Sequence, residues 1–367
     1  MIGKVLILGG YGNFGKRIAR ALVKHHVPVI IAGRNLEKAH AFASTLPESL
    51  ATVAVMDITR ELASQLQLLW PMVVINTCGP FQTSHYDVAR TCIEHHVHYI
   101  DLADGRNFVN GIAALDASAK THQVAVISGA STVPGLSSAV IEHYRHEFAE
   151  IDSLTFGISP GQKSERGLAT TQAILSYVGK PIKPSAGNAC VVYGWQDIYR
   201  QEYPELGKRW MANCDIPDLD LLPAHYGIRS IRFSAGLELS FMHLGLWLLS
   251  WAVRLGIPLH LPRHAATLLE VSNWFDRFGS AHGGMHIILC GKNKAGKAYE
   301  RKWFIIAKDG DGPQIPTIPA IILAKKLVHG DLDYYGATPC VAMVTLEEYL
   351  SELKGFSISV YAEAIEY

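Results

Sequence analysis

A glycine cluster near the amino terminus, Gly9-Gly10-Tyr11-Gly12-Asn13-Phe14-Gly15, contains the spacing G-x-G-x-x-G at Gly10, Gly12 and Gly15. It follows a short apolar run and opens a stretch of helical periodicity. The chemistry that needs this pattern is the cradling of a diphosphate. Gly10 would allow a tight turn, Gly12 would let the backbone approach the pyrophosphate, and Gly15 would let helix and strand pack closely. Asn13 and Phe14 then fall in the first helical turn, whose N–H groups and positive end attract the anion. A glycine turn that binds nothing is the competing reading. The order strand, glycines, helix, second strand weighs against it.

The second apolar run ends in Ala32-Gly33-Arg34-Asn35, with Lys38 one turn later. A site for NAD usually places a carboxylate here for the ribose 2′-hydroxyl, and none is present. Arg34 can stack on adenine and pair with a 2′-phosphate, so NADP is expected in preference to NAD; a surface arginine at a helix start is the alternative. Asp57 fits two roles equally, accepting from the adenine amino group or capping a helix that enters at Thr59. The run 76–81, with Cys78, Gly79 and Pro80, is small enough to pass close to a nicotinamide ribose, and also fits a structural turn.

Other chemistries are excluded by pattern. No tyrosine is followed four residues later by lysine, and no G-K-[ST] follows the glycine turn. The six cysteines and 17 histidines form no C-x-x-C or H-E-x-x-H spacing, so no metal site is expected and the thiols read as reduced and mostly buried.

The elements that position these residues follow from periodicity. Residues 4–8, 29–32, 52–55, 72–76, 98–102 and 124–127 read as strands joined by crossover helices, with apolar stripes at Phe14, Ile18, Ala21, Leu22 and at Val88, Ala89, Cys92, Ile93. That is an α/β, doubly wound parallel Rossmann sheet. A further helix is predicted after Pro134-Gly135, running to about His146. Strand-like runs at 153–158, 189–193, 228–233, 285–290 and 299–307, the last two flanking a hairpin turn over 291–297, predict a second α+β domain on a mixed or antiparallel sheet. The expected division is 1–148, completed by 313–350 with a helix over 319–328, and 149–312 for substrate and dimerisation.

Composition bounds the partners. The chain has 367 residues, 49% of them hydrophobic and 18% charged, which fits two packed domains rather than a disordered chain. Lys plus Arg and Asp plus Glu each number 33, leaving no basic excess for nucleic acid. The amino-terminal apolar run is too short for a signal-peptide core, so a cytoplasmic protein is expected. Residues 239–253 contain no charged side chain but fall short of the roughly 20 needed to span a bilayer. They predict a buried or interface helix within a homodimer, with peripheral membrane contact as the alternative.

Together the 9–15 turn, the Ala32-Gly33-Arg34 strand end, the 76–81 run and His98-Tyr99-Ile100-Asp101-Leu102 resemble the saccharopine dehydrogenase-like oxidoreductases. The resemblance covers the first 145 residues, and Val133-Pro134-Gly135 is similar to the loop that leads to the helix between domains. It implies a Rossmann domain completed by carboxyl-terminal elements and hydride transfer at a carbon–nitrogen bond with NAD(P). Saccharopine-forming relatives carry Asp before the Pro-Gly pair, where this chain has Val133, and many homologues have Gly-Glu where it has Ala103-Asp104-Gly105-Arg106. Saccharopine is therefore not the expected substrate.

The expectation is an NADP-dependent oxidoreductase acting on a small carbonyl or imine, in a cleft between domains. Pocket candidates are Asp104 and Arg106 beyond the fifth strand, Ser131 and Thr132 beyond the sixth, and Arg166, Thr170 and Thr171 near the start of a helix over 165–178. Each equally fits a turn, loop or surface role. Tyr99 and Asp101 share one strand face and read as a buried hydrogen-bonded pair, so no catalytic acid is assigned. Two other readings stay open: a non-catalytic NADP-binding sensor or scaffold engaging a partner or membrane, and an enoyl- or quinone-type reductase.

Overall fold

Val5, Leu6, Ile7 and Leu8 are apolar without alternation, and such a strand is stable where both faces are covered. The computed structural model, which describes residues 3–185 and 191–367, makes this run the first of its strands. In chain order these are β1 (Val5–Leu8), β2 (Val29–Gly33), β3 (Ala51–Val55), β4 (Val73–Asn76), β5 (His98–Asp101), β6 (Ala125–Ser128), β7 (Phe148–Ser159) and β8 (Pro181–Ile182). There follow β9 (Val192–Tyr193), β10 (Tyr199–Tyr203), β11 (Gly207–Asn213), β12 (Ser230–Gly236), β13 (Gly283–Asn293), β14 (Ala298–Ala307), β15 (Gly336–Pro339) and β16 (Ile358–Glu366). They belong to two units, Met1–Ala139 with Gln314–Glu352, and Val140–Pro313 with Leu353–Tyr367.

The first unit is a doubly wound α/β sheet of seven parallel strands in the order β15-β6-β5-β4-β1-β2-β3. Strand order reverses between β1 and β4, where an open sheet of this kind leaves a crevice beyond its carboxyl ends. Helix Asn13–Lys24 buries Gly15, Ile18, Ala19, Leu22 and Val23, whereas the stripe expected from sequence was Phe14, Ile18, Ala21 and Leu22. Phe14 is only half-buried because Gly15, one position on, is the residue that meets the strand turn. The second stripe is as expected, with Ala89, Cys92 and Ile93 buried and Val88 packed against them. Helix Ile318–His329 stops at Gly330, whose φ of 76° suits glycine.

The second unit is built on a mixed seven-stranded sheet, β10-β11-β12-β7-β13-β14-β16. β12 runs parallel to β7 and the other pairings are antiparallel. The turn between β13 and β14 closes on Asn293, whose Oδ1 accepts from the N–H groups of Ala295 and Lys297, with Gly296 left-handed. The edge strand β16 was not foreseen from sequence. Of the strand expected over 189–193, Val192–Tyr193 is present, while Cys190 lies outside the described residues. The helix expected over 165–178 is Leu168–Tyr177, beginning after Gly167, a poor helix former. Residues 239–253 fold into helix Ser240–Arg254, and among the described residues no helix is long and apolar enough to cross a membrane.

The glycine turn has a different division of labour from the one the motif suggests. Gly9, not Gly10, takes the left-handed conformation, at φ 74°. Gly10 is required by crowding, since a Cβ there would lie 3.0 Å from both Ile7 O and Ile31 Cγ2. At Gly15 a Cβ would fall 2.2 Å from Gly9 O and 2.7 Å from Gly10 Cα, so helix and turn touch with no side chain between them. At Gly12 a Cβ would be 3.0 Å from Gly9 O and otherwise in open space. Gly15→Ala is therefore expected to cost about 1–3 kcal/mol of stability through overpacking, and Gly12→Ala clearly less. Thermal unfolding of the ligand-free protein checks this, and equal losses would show that helix–turn contact is not what selects Gly15.

Candidate active site

The first backbone bond of helix Asn13–Lys24 is donated by Lys16 N–H to Gly12 O at 3.1 Å. By helix geometry the N–H groups of the first turn, Asn13 to Gly15, point toward the helix start. No acidic side chain stands in that first turn. Its partial positive charge is thus not offset within the helix, and the space above Gly12 is where an anion fits. The turn is fixed by Gly12 N–H donating to Gly9 O (2.8 Å) and Gly10 N–H donating to Ala32 O (3.0 Å).

At the end of β2, Arg34 is exposed, and Asn35 caps helix Leu36–Ala43 by accepting from Lys38 N–H at 2.9 Å. Arg34 is close enough to act electrostatically on Asp57, beyond β3, and on Cys78, beyond β4. Three strand ends thus bring these residues together. The Asp57 carboxyl is held below its ordinary range by the backbone N–H and hydroxyl of Thr59, with Arg60 and Arg34 adding to the effect. Asp57 shapes a turn rather than capping a helix at Thr59, because the next helix begins only at Leu62. Tyr11 was not singled out from sequence. Its hydroxyl accepts from Asn35 N–H at 3.0 Å, and its ring covers Gly33, where a Cβ would lie 2.4 Å from it. The signal was an aromatic inside the glycine turn paired with a glycine at the second strand end.

The loop after β4 is anchored to the glycine turn by Thr77, whose hydroxyl donates to Leu8 O at 2.8 Å and whose N–H donates to the same carbonyl at 3.1 Å. Gly79 and Pro80 are joined by a cis peptide. Burial pushes the Cys78 thiol up to about 11 despite the Arg34 charge, so it is a protonated wall residue and not a nucleophile at neutral pH.

From here a buried polar network runs along the strand ends. Cys78 N–H donates to Asn76 Oδ1 (3.0 Å), and Asn76 Nδ2 donates to the Tyr99 hydroxyl (3.2 Å), which lies beside the Asp101 carboxyl. Asp101 Oδ1 accepts from Ala103 N–H (3.0 Å), the Ser128 hydroxyl (3.0 Å) and Gly129 N–H (2.8 Å). The loops after β4, β5 and β6 are therefore fastened to one another. Asp104 accepts from Gln82 Nε2 at 3.0 Å, and burial raises its carboxyl. Arg106 opens helix Arg106–Gly111 and is buried, as are Ser131 and Thr132, with Thr132 beside the Tyr349 hydroxyl.

Arg166, a pocket candidate from the sequence, belongs to the second unit and its guanidinium is already engaged. Its guanidinium donates to Asp276 Oδ1 (2.6 Å), Asn273 Oδ1 (2.8 Å) and Ser272 Oγ (2.7 Å), because the 272–276 segment packs against it. Thr171 is likewise occupied, its hydroxyl donating to Gly167 O at 3.1 Å.

Asp101 gives the first unit a pH signature. Burial pushes its carboxyl up to about 6, from an ordinary value of 3.8, against the donors that favour the charged form. The folded protein thus holds this proton more tightly than the unfolded chain. The stabilisation is complete below the ordinary value and is lost as pH rises through about 6. In Asp101→Asn the amide oxygen can keep the donors but does not titrate. Between about pH 4 and pH 7 the wild type is expected to lose on the order of 3 kcal/mol relative to that variant. Denaturant unfolding of both proteins at the two pH values measures it, and a difference that does not change with pH would remove Asp101 as the titrating group.

Residues 5–127 match the family model described as the saccharopine dehydrogenase NADP binding domain. Among curated proteins no sequence match is found. In fold, the chain is similar to apo saccharopine dehydrogenase (L-Glu forming) from Saccharomyces cerevisiae, with a TM-score of 0.68 at 14% identity over 99% of this chain and 100% of that one. It is also similar to amine dehydrogenase from Mycobacterium smegmatis, with a TM-score of 0.52 at 12% identity over 93% of this chain and 95% of that one. The family match thus covers the first six strands of the parallel sheet in chain order, whereas the likeness to the two solved structures is one of fold.

Proposed function

We propose that this protein is an NADP-dependent oxidoreductase that transfers hydride to or from a small carbonyl or imine carbon. The observation that carries the reading is the pairing of an uncompensated helix start above Gly12 with an exposed Arg34 at the end of β2, inside a matched NADP binding domain. The dinucleotide, when bound, supplies the hydride chemistry.

The chain's own residues divide the remaining tasks. The N–H groups of Asn13, Phe14 and Gly15 bind the diphosphate, and Arg34 pairs with the 2′-phosphate, with Tyr11 and Asp57 beside it. No carboxylate of β2 or its loop opposes that phosphate, which is why NADP is preferred over NAD. The 77–80 loop, fixed by Asn76 and Thr77, walls the nicotinamide end, and its protonated Cys78 adds no charge there. Asp104, Arg106, Ser131 and Thr132 are the polar groups assigned to the substrate side. The fold shared with a saccharopine dehydrogenase and an amine dehydrogenase supports this reading, and their names are the ground for testing amine- or amino-acid-derived substrates.

Arg34→Ala is expected to weaken NADPH binding about ten- to a hundredfold, the value of one charge-assisted contact, while NADH binding is unchanged. Nucleotide fluorescence titration measures both. Equal loss for the two nucleotides would remove Arg34 from the phosphate site. Oxidation of NADPH in the presence of small imines, 2-oxo acids and enones tests turnover, and inertness to all of them in a protein that binds NADPH would favour a sensor role.

A further inference from the structure

Helix Ser240–Arg254 carries apolar side chains on both its inner and its outer face. Its inner face carries the fully buried His243 and Ser250 beside Leu246, Leu249 and Val253, which pack on Trp195 and Leu261. Its outer face carries Phe241, Leu248 and Trp251, exposed by 54%, 61% and 38%, and the chain leaves the helix through Leu255, exposed by 77%. At 100° per residue these four positions form a single stripe. The apolar surface continues through exposed Ile257 and Leu259 and, by way of the Phe241–Phe275 ring contact at 5.1 Å, to exposed Trp274 and Phe278. An apolar face of this extent on a water-soluble surface signals a partner.

Charge identifies that partner. From Leu239 to Leu269 the sequence has no Asp or Glu, but has Arg254 and Arg263, with His260 and His264 between and after them. Arg254 lies over the Trp251 ring at 4.9 Å, and Arg277 over the Phe278 ring at 4.6 Å, so each cation borders an exposed aromatic. Of the carboxylates flanking the run, Glu238 is held inward by Ser280, Gln162 and Arg209, Asp276 is part-exposed and paired with Arg166, and Glu270, exposed, closes the run. Next to the helix end, a cavity of about 320 Å³ is lined by Leu175, Val178, Val253, Ile257 and Leu261, with Lys180 also in its wall. Apolar side chains ringed by cations match an anionic bilayer surface, whose phosphates meet the arginines and whose acyl chains meet the leucines. A second copy is a poorer match, since a two-fold contact would set these cations against their own equivalents.

We propose that this face of the second unit seats on an anionic phospholipid membrane, with helix Ser240–Arg254 lying in the interface plane and Trp251 and Trp274 at headgroup depth. Fifteen residues are too few to span, so the contact is peripheral.

The test uses the full chain with vesicles of phosphatidylcholine alone and of phosphatidylcholine mixed with phosphatidylglycerol. Sedimentation with the mixed vesicles is expected, weakened at least about tenfold by neutral vesicles or by high salt, and brominated lipid should quench the tryptophan fluorescence. Leu248→Asp and Trp251→Asp should each reduce sedimentation about tenfold or more at an unchanged melting temperature, because both side chains are exposed. Wild-type protein that stays in the supernatant with both vesicle types overturns the proposal. So does binding that both variants retain, or a lipid-free dimer that Leu248→Asp dissociates, which would assign the face to a second copy.

Discussion

Where β5 ends, one carboxyl group takes hydrogen bonds from three directions. Asp101 Oδ1 receives Ala103 N–H from its own strand, and Ser128 hydroxyl and Gly129 N–H from the end of β6. The Tyr99 hydroxyl links it to Asn76, and Asn76 links it to the loop after β4. A parallel sheet leaves its carboxyl-end loops without mutual strand pairing, so side-chain bonds must set their spacing. A polar group in so dry a place is tolerated when its donors are supplied, and the same donors then fix the loops. The crevice at the end of the sheet depends on this one anchor.

The second constraint is contact between backbone and backbone. Gly15 brings the helix start against Gly9 and Gly10, and this places the helix N–H groups over the turn instead of a side-chain width away. The partial charge of those groups falls off within the first turn, so the distance matters. Arg34 then adds a full charge at the neighbouring strand end. Equal numbers of acidic and basic residues in the chain thus coexist with local positive charge at the helix start and the end of β2, where no acidic side chain stands in the helix's first turn.

The second unit uses its polar residues differently. Arg166, Gln162, Glu238, Ser272 and Asp276 are bonded to one another and pin the 272–280 segment. His243 and Ser250 occupy the inner face of helix Ser240–Arg254, and burial takes the imidazole down to about 4, which keeps it neutral. The outward leucines and tryptophans are left with nothing from the unit's own core to cover them.

Much of the first unit was legible because parallel strands buried on both faces are continuous apolar runs, and glycine turns mark their ends. The Rossmann architecture, the resemblance matched over residues 5–127, and the mixed second sheet all follow from such local signals. Less legible were features that depend on what lies opposite in space. The tight turn was expected at Gly10, whereas the left-handed residue is Gly9 and Gly10 is required by crowding, since motif spacing does not tell which carbonyl crowds which Cα. Tyr11 over Gly33 joins residues 22 apart in sequence, and Arg166 stood as a pocket candidate because its partner Asp276 is more than a hundred residues away. The sequence by itself determined the periodicities, the turn chemistry and the charge at the second strand end, all properties of neighbours along the chain. Only the tertiary structure decided which polar groups are already satisfied and which apolar face of helix Ser240–Arg254 stays outside, because hydrogen-bond partners and burial are set by contacts between distant segments.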